Sequence, residues 1–156
     1  MAELPLCKRV VEGSSPFPSS TFIYYMHKKT KGYIAEMAVA SRFLRMGWRV
    51  LFPFGENNRY DLVAEKDGEF VRIQVKYVTP RNGALDINCR SSNNWSVDKY
   101  TTKQIDTIAV YDSKNCNIYF VPSARLNSSR IKLRIKAAKN KQRSKINKAD
   151  DFLFFK

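Results

Sequence analysis

The sequence predicts an α/β (α+β) domain, a β-sheet core with helix packed on it, and three stretches carry that prediction. The first is Asn58 to Val78, NRYDLVAEKDGEFVRIQVKYV, two apolar-rich runs on either side of Asp67-Gly68. That dipeptide is the strongest short hairpin signal, because a type I′ turn needs positive φ at both central residues. The second is Lys31 to Met46, whose apolar residues recur at helical spacing. The third is a pair of apolar runs, Ile105–Tyr111 and Cys116–Val121, joined through Asp112-Ser113-Lys114-Asn115. At 156 residues and 44% hydrophobic content the chain can bury one real core, so a single domain is expected.

Taken in order, residues 1–26 form an extended or loosely ordered leader, and 27–156 a single domain ending in a basic segment. VEGSSPFPSS is rich in Ser and Pro and lacks periodicity. No apolar core of signal-peptide length follows Lys8-Arg9. Gly13-Ser14-Ser15-Pro16 is what the T-arm sequence of a transfer RNA gene, GGTTCGAGTCC, would encode in this frame. Either the reading frame opens in or beside such a gene, with Met26 as the natural start, or this is an ordinary Ser/Pro leader.

In the helix, Lys31, Arg42 and Arg45 share one side while Glu36 falls beside Val39, Ala40 and Phe43. A carboxylate on an apolar face needs a reason, because buried acids are rarely left unpaired. It is either half of a buried ion pair with a lysine or a functional group. Gly47 ends the helix as its C′ residue, and WRVLFPF is expected to follow as a largely buried first strand.

The two-residue turn sets the hairpin register. Asp61 faces Gln74, Leu62 faces Ile73, and Lys76 is the diagonal neighbour of Asp61. Alternation puts Ile73, Val75 and Tyr77 on one face, and Arg72, Gln74 and Lys76 on the other. The outer face is either merely wet or functional. Tyr60-Asp61-Leu62-Val63-Ala64 embeds one acid in an apolar run, as in a strand covered on both sides, where a charge needs a partner or a metal.

Beyond the hairpin, Leu85, Ile87 and Cys89 alternate with Asp86, Asn88 and Arg90, a half-exposed strand. Ser91 to Ser96, SSNNWS, reads as a polar loop. Arg90, Ser91, Ser92, Asn93 and Asn94 are candidate phosphate donors there. From Ser113 to Ala149 there is no acidic residue, yet Lys132, Arg134, Lys139, Lys141, Arg143 and Lys145 are among many basic ones. A solvated face normally mixes signs, so this one-sidedness marks a phosphate-binding surface. Phe152-Leu153-Phe154-Phe155 is expected to pack back on the core.

The formal charge of +14 predicts a polyanionic partner, nucleic acid before membrane, since no apolar run approaches the roughly 20 residues of a spanning helix. Three widely spaced cysteines give neither a metal knuckle nor a disulfide framework, so a reducing cytoplasm is expected. His27 is the only histidine, which excludes a histidine-based nuclease motif or zinc site. Any metal must therefore sit on oxygen ligands, which favours Mg²⁺, with Mn²⁺ able to substitute.

A helix-borne Glu36, a strand Asp61 and then Gln74-Val75-Lys76 one hairpin later resemble the PD-(D/E)XK nuclease superfamily. The wording around them is more specific. YDLVAEKDGEFVRIQVK, KYTTKQIDTIAVYDSKNCNIYFVPSAR and the LRI…KNKQ…ADDF tail are similar to the group I intron-associated homing endonucleases of that superfamily, from about Lys28 to Phe155. KGYIAE with a hairpin Asp also resembles the archaeal Holliday junction resolvases, over the first half only. Tyr60 stands at the name-giving Pro position, and Gln74 replaces an acidic residue.

The resemblance implies a mixed β-sheet core flanked by helices, restriction endonuclease-like, and metal-dependent hydrolysis of double-stranded DNA. Glu36, Asp61, Gln74 and Lys76 would be catalytic, with Asp61, Glu36, Gln74 and the Val75 carbonyl as metal ligands. Gln74 brings no charge, so the metal would be held more weakly than by an acidic version. A near-palindromic target would imply a homodimer or homotetramer. The alternatives are a junction resolvase or a non-cleaving DNA-binding relative.

Overall fold

The structure is a computed structural model and describes residues 26–55, 58–92, 97–137 and 146–155. One α-helix, α1 (Lys28–Arg45), opens it. Its N-cap is His27, whose side chain accepts from the Lys29 amide. Met46 caps the other end and Gly47 follows at φ 79, the left-handed C′ position expected for it. Ala35, Val39, Ala40 and Phe43 form the buried stripe of α1.

The main sheet has five strands: β1 (Arg49–Leu51), β2 (Leu62–Lys66), β3 (Glu69–Val78), β7 (Thr107–Asp112) and β8 (Ile118–Pro122). They lie side by side in the order β1-β2-β3-β7-β8. β3 and β7 are parallel and the other pairs antiparallel, so the sheet is mixed, as expected. The β2–β3 register is the one the Asp67-Gly68 turn dictates, with Leu62 opposite Ile73, and both turn residues have positive φ (53 and 83). The crossover from β3 to β7 carries β4 (Ala84–Asn88) and a two-stranded ribbon, β5 (Arg90–Ser92) with β6 (Val97–Lys99). β4 joins β9 (Arg130–Arg134) and β10 (Asn147–Lys148) in a second sheet.

Each face of the main sheet buries a core of its own. Leu62, Ala64, Val71, Ile73, Val75, Ala109 and Phe120 pack against α1. Ile108, Val110, Tyr119 and Val121 pack against Leu85, Ile87, Ile131 and Leu133 of the second sheet. The opposite face is therefore covered by a small sheet, where flanking helices were expected; among the described residues α1 is the only α-helix. Ile131 and Leu133 are buried while Arg130 and Lys132 are exposed, a period of two that marks β9 as a strand.

Two other expectations are corrected. WRVLFPF yields only the three-residue β1 with an exposed–intermediate–exposed pattern. It lies at the sheet edge, and Pro53 has no amide to extend the ladder. SSNNWS is not wholly a loop, since Ser91 and Ser92 pair with Asp98 and Val97. Cys89 is free and buried, one of the two cysteines among the described residues. In the terminal aromatic run, Phe152 enters one core and Phe155 packs on Phe43, Trp48 and Phe120 in the other, while Phe154 stays exposed. The leader, residues 1–25, lies outside the described residues.

Candidate active site

Asp61 sits one residue before β2, where the ladder would otherwise fray. Its amide donates to the Ile73 carbonyl (2.9 Å), which extends the pairing by one residue. Its carboxylate then turns to β3: Oδ2 accepts from the Val75 amide (2.5 Å) and from Gln74 Nε2. Burial pushes the Asp61 carboxyl upward, against the opposing pull of the Val75 amide and Lys76. Lys76 is therefore near enough to act on Asp61, as the diagonal pairing requires.

Glu36 reaches the same place from α1. Burial raises its carboxyl first, and the negative charge of Asp61 raises it further. The two carboxylates share a small cleft with Tyr33, Phe52, Pro53 and Tyr60. Its volume of about 360 Å³ holds one phosphodiester group with ordered water, not a duplex. Glu36 and Asp61 thus share the cleft and Gln74 bonds Asp61, whereas Lys76 acts on Asp61 through its charge and does not line the cleft. Glu36 faces a second acid where a lysine was the alternative.

Gln74 departs from the expected arrangement. Its Nε2 donates to Asp61 Oδ2 and also to the Val75 carbonyl (3.3 Å). The amide therefore presents its N–H₂ group, not its oxygen, to the two atoms expected to ligate a metal. Amide orientation follows from the hydrogen-bond network, so a half-turn about the last side-chain bond would exchange donor for acceptor. Among the described residues no cluster of three His, Cys, Asp or Glu side chains forms. The available oxygen donors are two desolvated carboxylates and one carbonyl, joined by the Gln74 amide oxygen only after that half-turn. That chemistry fits a single hard divalent cation.

Two groups beside the cleft escaped the sequence reading. Lys76 Nζ donates to the hydroxyl of Tyr100 at 3.0 Å, across 24 positions with no pattern to announce it. Arg72, on the same face as Gln74 and Lys76, forms a fork with Asp106: Nε to Oδ2 at 3.0 Å and Nη2 to Oδ1 at 2.8 Å. The Arg72 amide adds a bond to Asp106 Oδ2 at 2.7 Å. The only sequence signal for that pair was an arginine alternating with two other polar residues.

The predicted DNA contacts are partly placed. Lys132 and Arg134 point out from β9, joined by Arg130, and line open grooves with Lys31, Arg81 and Arg125. Arg90 and Ser91 lie on β5, as does Ser92 by backbone position. Asn93, Asn94, Lys139, Lys141, Arg143 and Lys145 lie outside the described residues. The ribbon is tied toward the cleft by an ion pair between Arg59 and Asp98 (3.0 Å), two residues before Asp61.

The chain is similar to known proteins to different extents. Over 48 residues the chain is 42% identical to Protein 5.3 of Escherichia phage T7. That segment is 31% of this chain, and the chain spans only 41% of the phage protein's length. The structure of a bacterial homing endonuclease, I-Ssp6803I, superposes with a TM-score of 0.65 at 26% identity, over 81% of this chain and 88% of that one. The profile of the PD-(D/E)XK endonuclease family matches residues 26–155, the whole described fold and not the hairpin alone. The chain therefore belongs to the PD-(D/E)XK endonuclease family.

Proposed function

We propose that the protein is a Mg²⁺-dependent, site-specific endonuclease of the homing type that hydrolyses double-stranded DNA. The observation that carries this reading is that Glu36 and Asp61 share one cleft while the charge of Lys76 acts on Asp61. The homing type is further supported by the likeness to a protein described as a bacterial homing endonuclease, covered over 88% of its length. Mn²⁺ would substitute for Mg²⁺, since both accept an all-oxygen shell.

Asp61 is the anchoring ligand, with Glu36 beside it and the Val75 carbonyl as a third donor. Gln74 joins through its amide oxygen after the half-turn described above. A divalent cation held there supplies charge relief on the phosphoryl oxygens and acidifies the attacking water. Lys76 would orient that water, and its ammonium charge would offset the negative charge that grows in the transition state; to take the water's proton it would first have to release one of its own. Arg130, Lys132 and Arg134 hold the duplex by its phosphates, while Arg90 and Ser91 on the ribbon add contacts nearer the cleft. A near-palindromic target would be read by a homodimer or homotetramer, since one small subunit covers a limited stretch of groove.

The test incubates the protein and Mg²⁺ with a long genomic duplex and, separately, with a synthetic four-way junction. Cutting of the duplex at one site, abolished by a chelator and restored by Mg²⁺ or Mn²⁺, is the expected result. Paired symmetric nicks in the junction alone would replace homing with junction resolution. Tight, salt-sensitive binding with no cutting of either would leave only a DNA-binding module.

A further inference from the structure

We infer that Tyr100 is the positioning residue for Lys76: its hydroxyl accepts the ammonium and holds it beside Asp61. The inference rests on the reading of Lys76 as the residue that handles the attacking water.

A lysine ammonium ends a flexible four-carbon stem and carries about 2 kcal/mol of rotamer entropy. Groups that act on a reacting water must nevertheless be held to within about half an ångström by their surroundings. Left to itself, the Lys76 ammonium could fold onto Asp61, whose carboxyl already feels its charge, and occupy the place a divalent cation needs. Among the described residues Lys76 makes no salt bridge. Its bond goes to Tyr100 Oη at 3.0 Å.

The ring centroid of Tyr100 is 5.1 Å from the ammonium. Together the two distances put Nζ at the hydroxyl end of the ring rather than over its face, so the contact is a hydrogen bond more than a cation–π interaction. A phenol is a suitable anchor for this task. It accepts the N–H without neutralising the charge, whereas a carboxylate would bind the ammonium too firmly and add a third negative group to the cleft.

Tyr100 is itself fixed. It is 5% exposed, and its amide donates to the Cys89 carbonyl at 3.2 Å. It also directly follows β6, the ribbon strand whose Asp98 pairs with Arg59 beside Asp61. One segment thus braces both the acid and the base of the cleft.

The test uses Tyr100→Phe, Lys76→Ala and the double variant of the full chain, on a plasmid carrying the site that the wild-type protein cuts. Single-turnover cleavage is followed at saturating protein and Mg²⁺, with DNA affinity and the thermal midpoint measured in parallel. Tyr100→Phe keeps the buried ring and removes only the acceptor. It should slow cleavage about 10- to 100-fold, the scale expected when a reacting group is misplaced by about 1 Å. Affinity and midpoint should not move. In the Lys76→Ala background the same change should have no further effect, because the two residues act as one unit.

Wild-type cleavage by Tyr100→Phe would overturn the inference while leaving the catalytic reading of Lys76 in place. So would an equal slowing in the Lys76→Ala background, or a loss explained by weaker DNA binding or a lower midpoint. Full-rate cleavage by Lys76→Ala would overturn the catalytic reading of Lys76 and, with it, the role of Tyr100.

Discussion

Glu36 and Asp61 are both raised by burial, and for Glu36 the neighbouring acid adds to the shift. Each is therefore better protonated in the folded chain than in the unfolded one. The folded state binds more protons across the window above the ordinary carboxylate values of about 4, so these two groups lower stability as pH rises through it. Glu36→Gln removes one of them. In a chelator-containing buffer its thermal midpoint should match wild type near pH 4 and exceed it by a margin that grows toward pH 7. A midpoint below wild type at neutral pH would mean that Glu36 is a structural partner rather than a poised ligand. Asp61→Ala belongs to the same scale. Losing the proposed metal ligand, which would support several kcal/mol of transition-state stabilisation, should slow cleavage about 10³-fold or more. DNA affinity in a filter-binding assay should stay within about threefold, since the proposed phosphate contacts lie on β9. A variant that still cuts would remove Asp61 from the mechanism.

The β2–β3 hairpin delivers Asp61, Gln74 and Lys76 because a turn with Asp67 and Gly68 at positive φ permits one register. What keeps β3 in place on its other side is the Arg72–Asp106 fork, backed by the Asp106 amide donating to the Arg72 carbonyl at 2.9 Å. The Arg72 guanidinium holds the Asp106 carboxyl below its ordinary value. The sign is thus opposite to that of the cleft acids: this stability is present above about pH 4 and lost as pH falls further. Both side chains are about one-third exposed (33% and 37%), so solvent screening keeps the contribution modest. Asp106→Asn should lower the midpoint at pH 7 by about 2–4 °C, the equivalent of roughly 1 kcal/mol for a chain of this length. The deficit should close in acid. A pH-independent deficit would show that packing of the 101–106 segment, not the ion pair, braces β3.

Across the whole molecule, the two cores make one face of the main sheet a seat for α1 and the other a seat for the second sheet. That division leaves β9 as a stiff support whose Lys132 and Arg134 point outward together. Each side chain that neutralises a phosphate releases a counterion, so log affinity falls with log salt at a slope near −0.9 per contact. Lys132→Ala and Arg134→Ala should each reduce that slope by about one, with similar losses on specific and non-specific duplex. Unchanged slopes would move the DNA path away from β9. Among the described residues no helix is long and apolar enough to cross a membrane.

The sequence by itself determined what depends on neighbours along the chain. The Asp67-Gly68 turn set the register and so the shared face of Asp61, Gln74 and Lys76. The stripe of Val39, Ala40 and Phe43 oriented Glu36, and the acid-free run to Ala149 marked the basic surface. Only the tertiary structure decided what depends on partners far apart. It showed that Glu36 meets Asp61 and not a lysine, and that a second sheet, not another helix, covers the far face. It turned the Gln74 amide nitrogen toward Asp61, and brought Tyr100 to Lys76 and Asp106 to Arg72. The physical reason is that periodicity and turn chemistry encode which face a side chain occupies. The partner it meets there is chosen by packing between segments whose spacing carries no local signal.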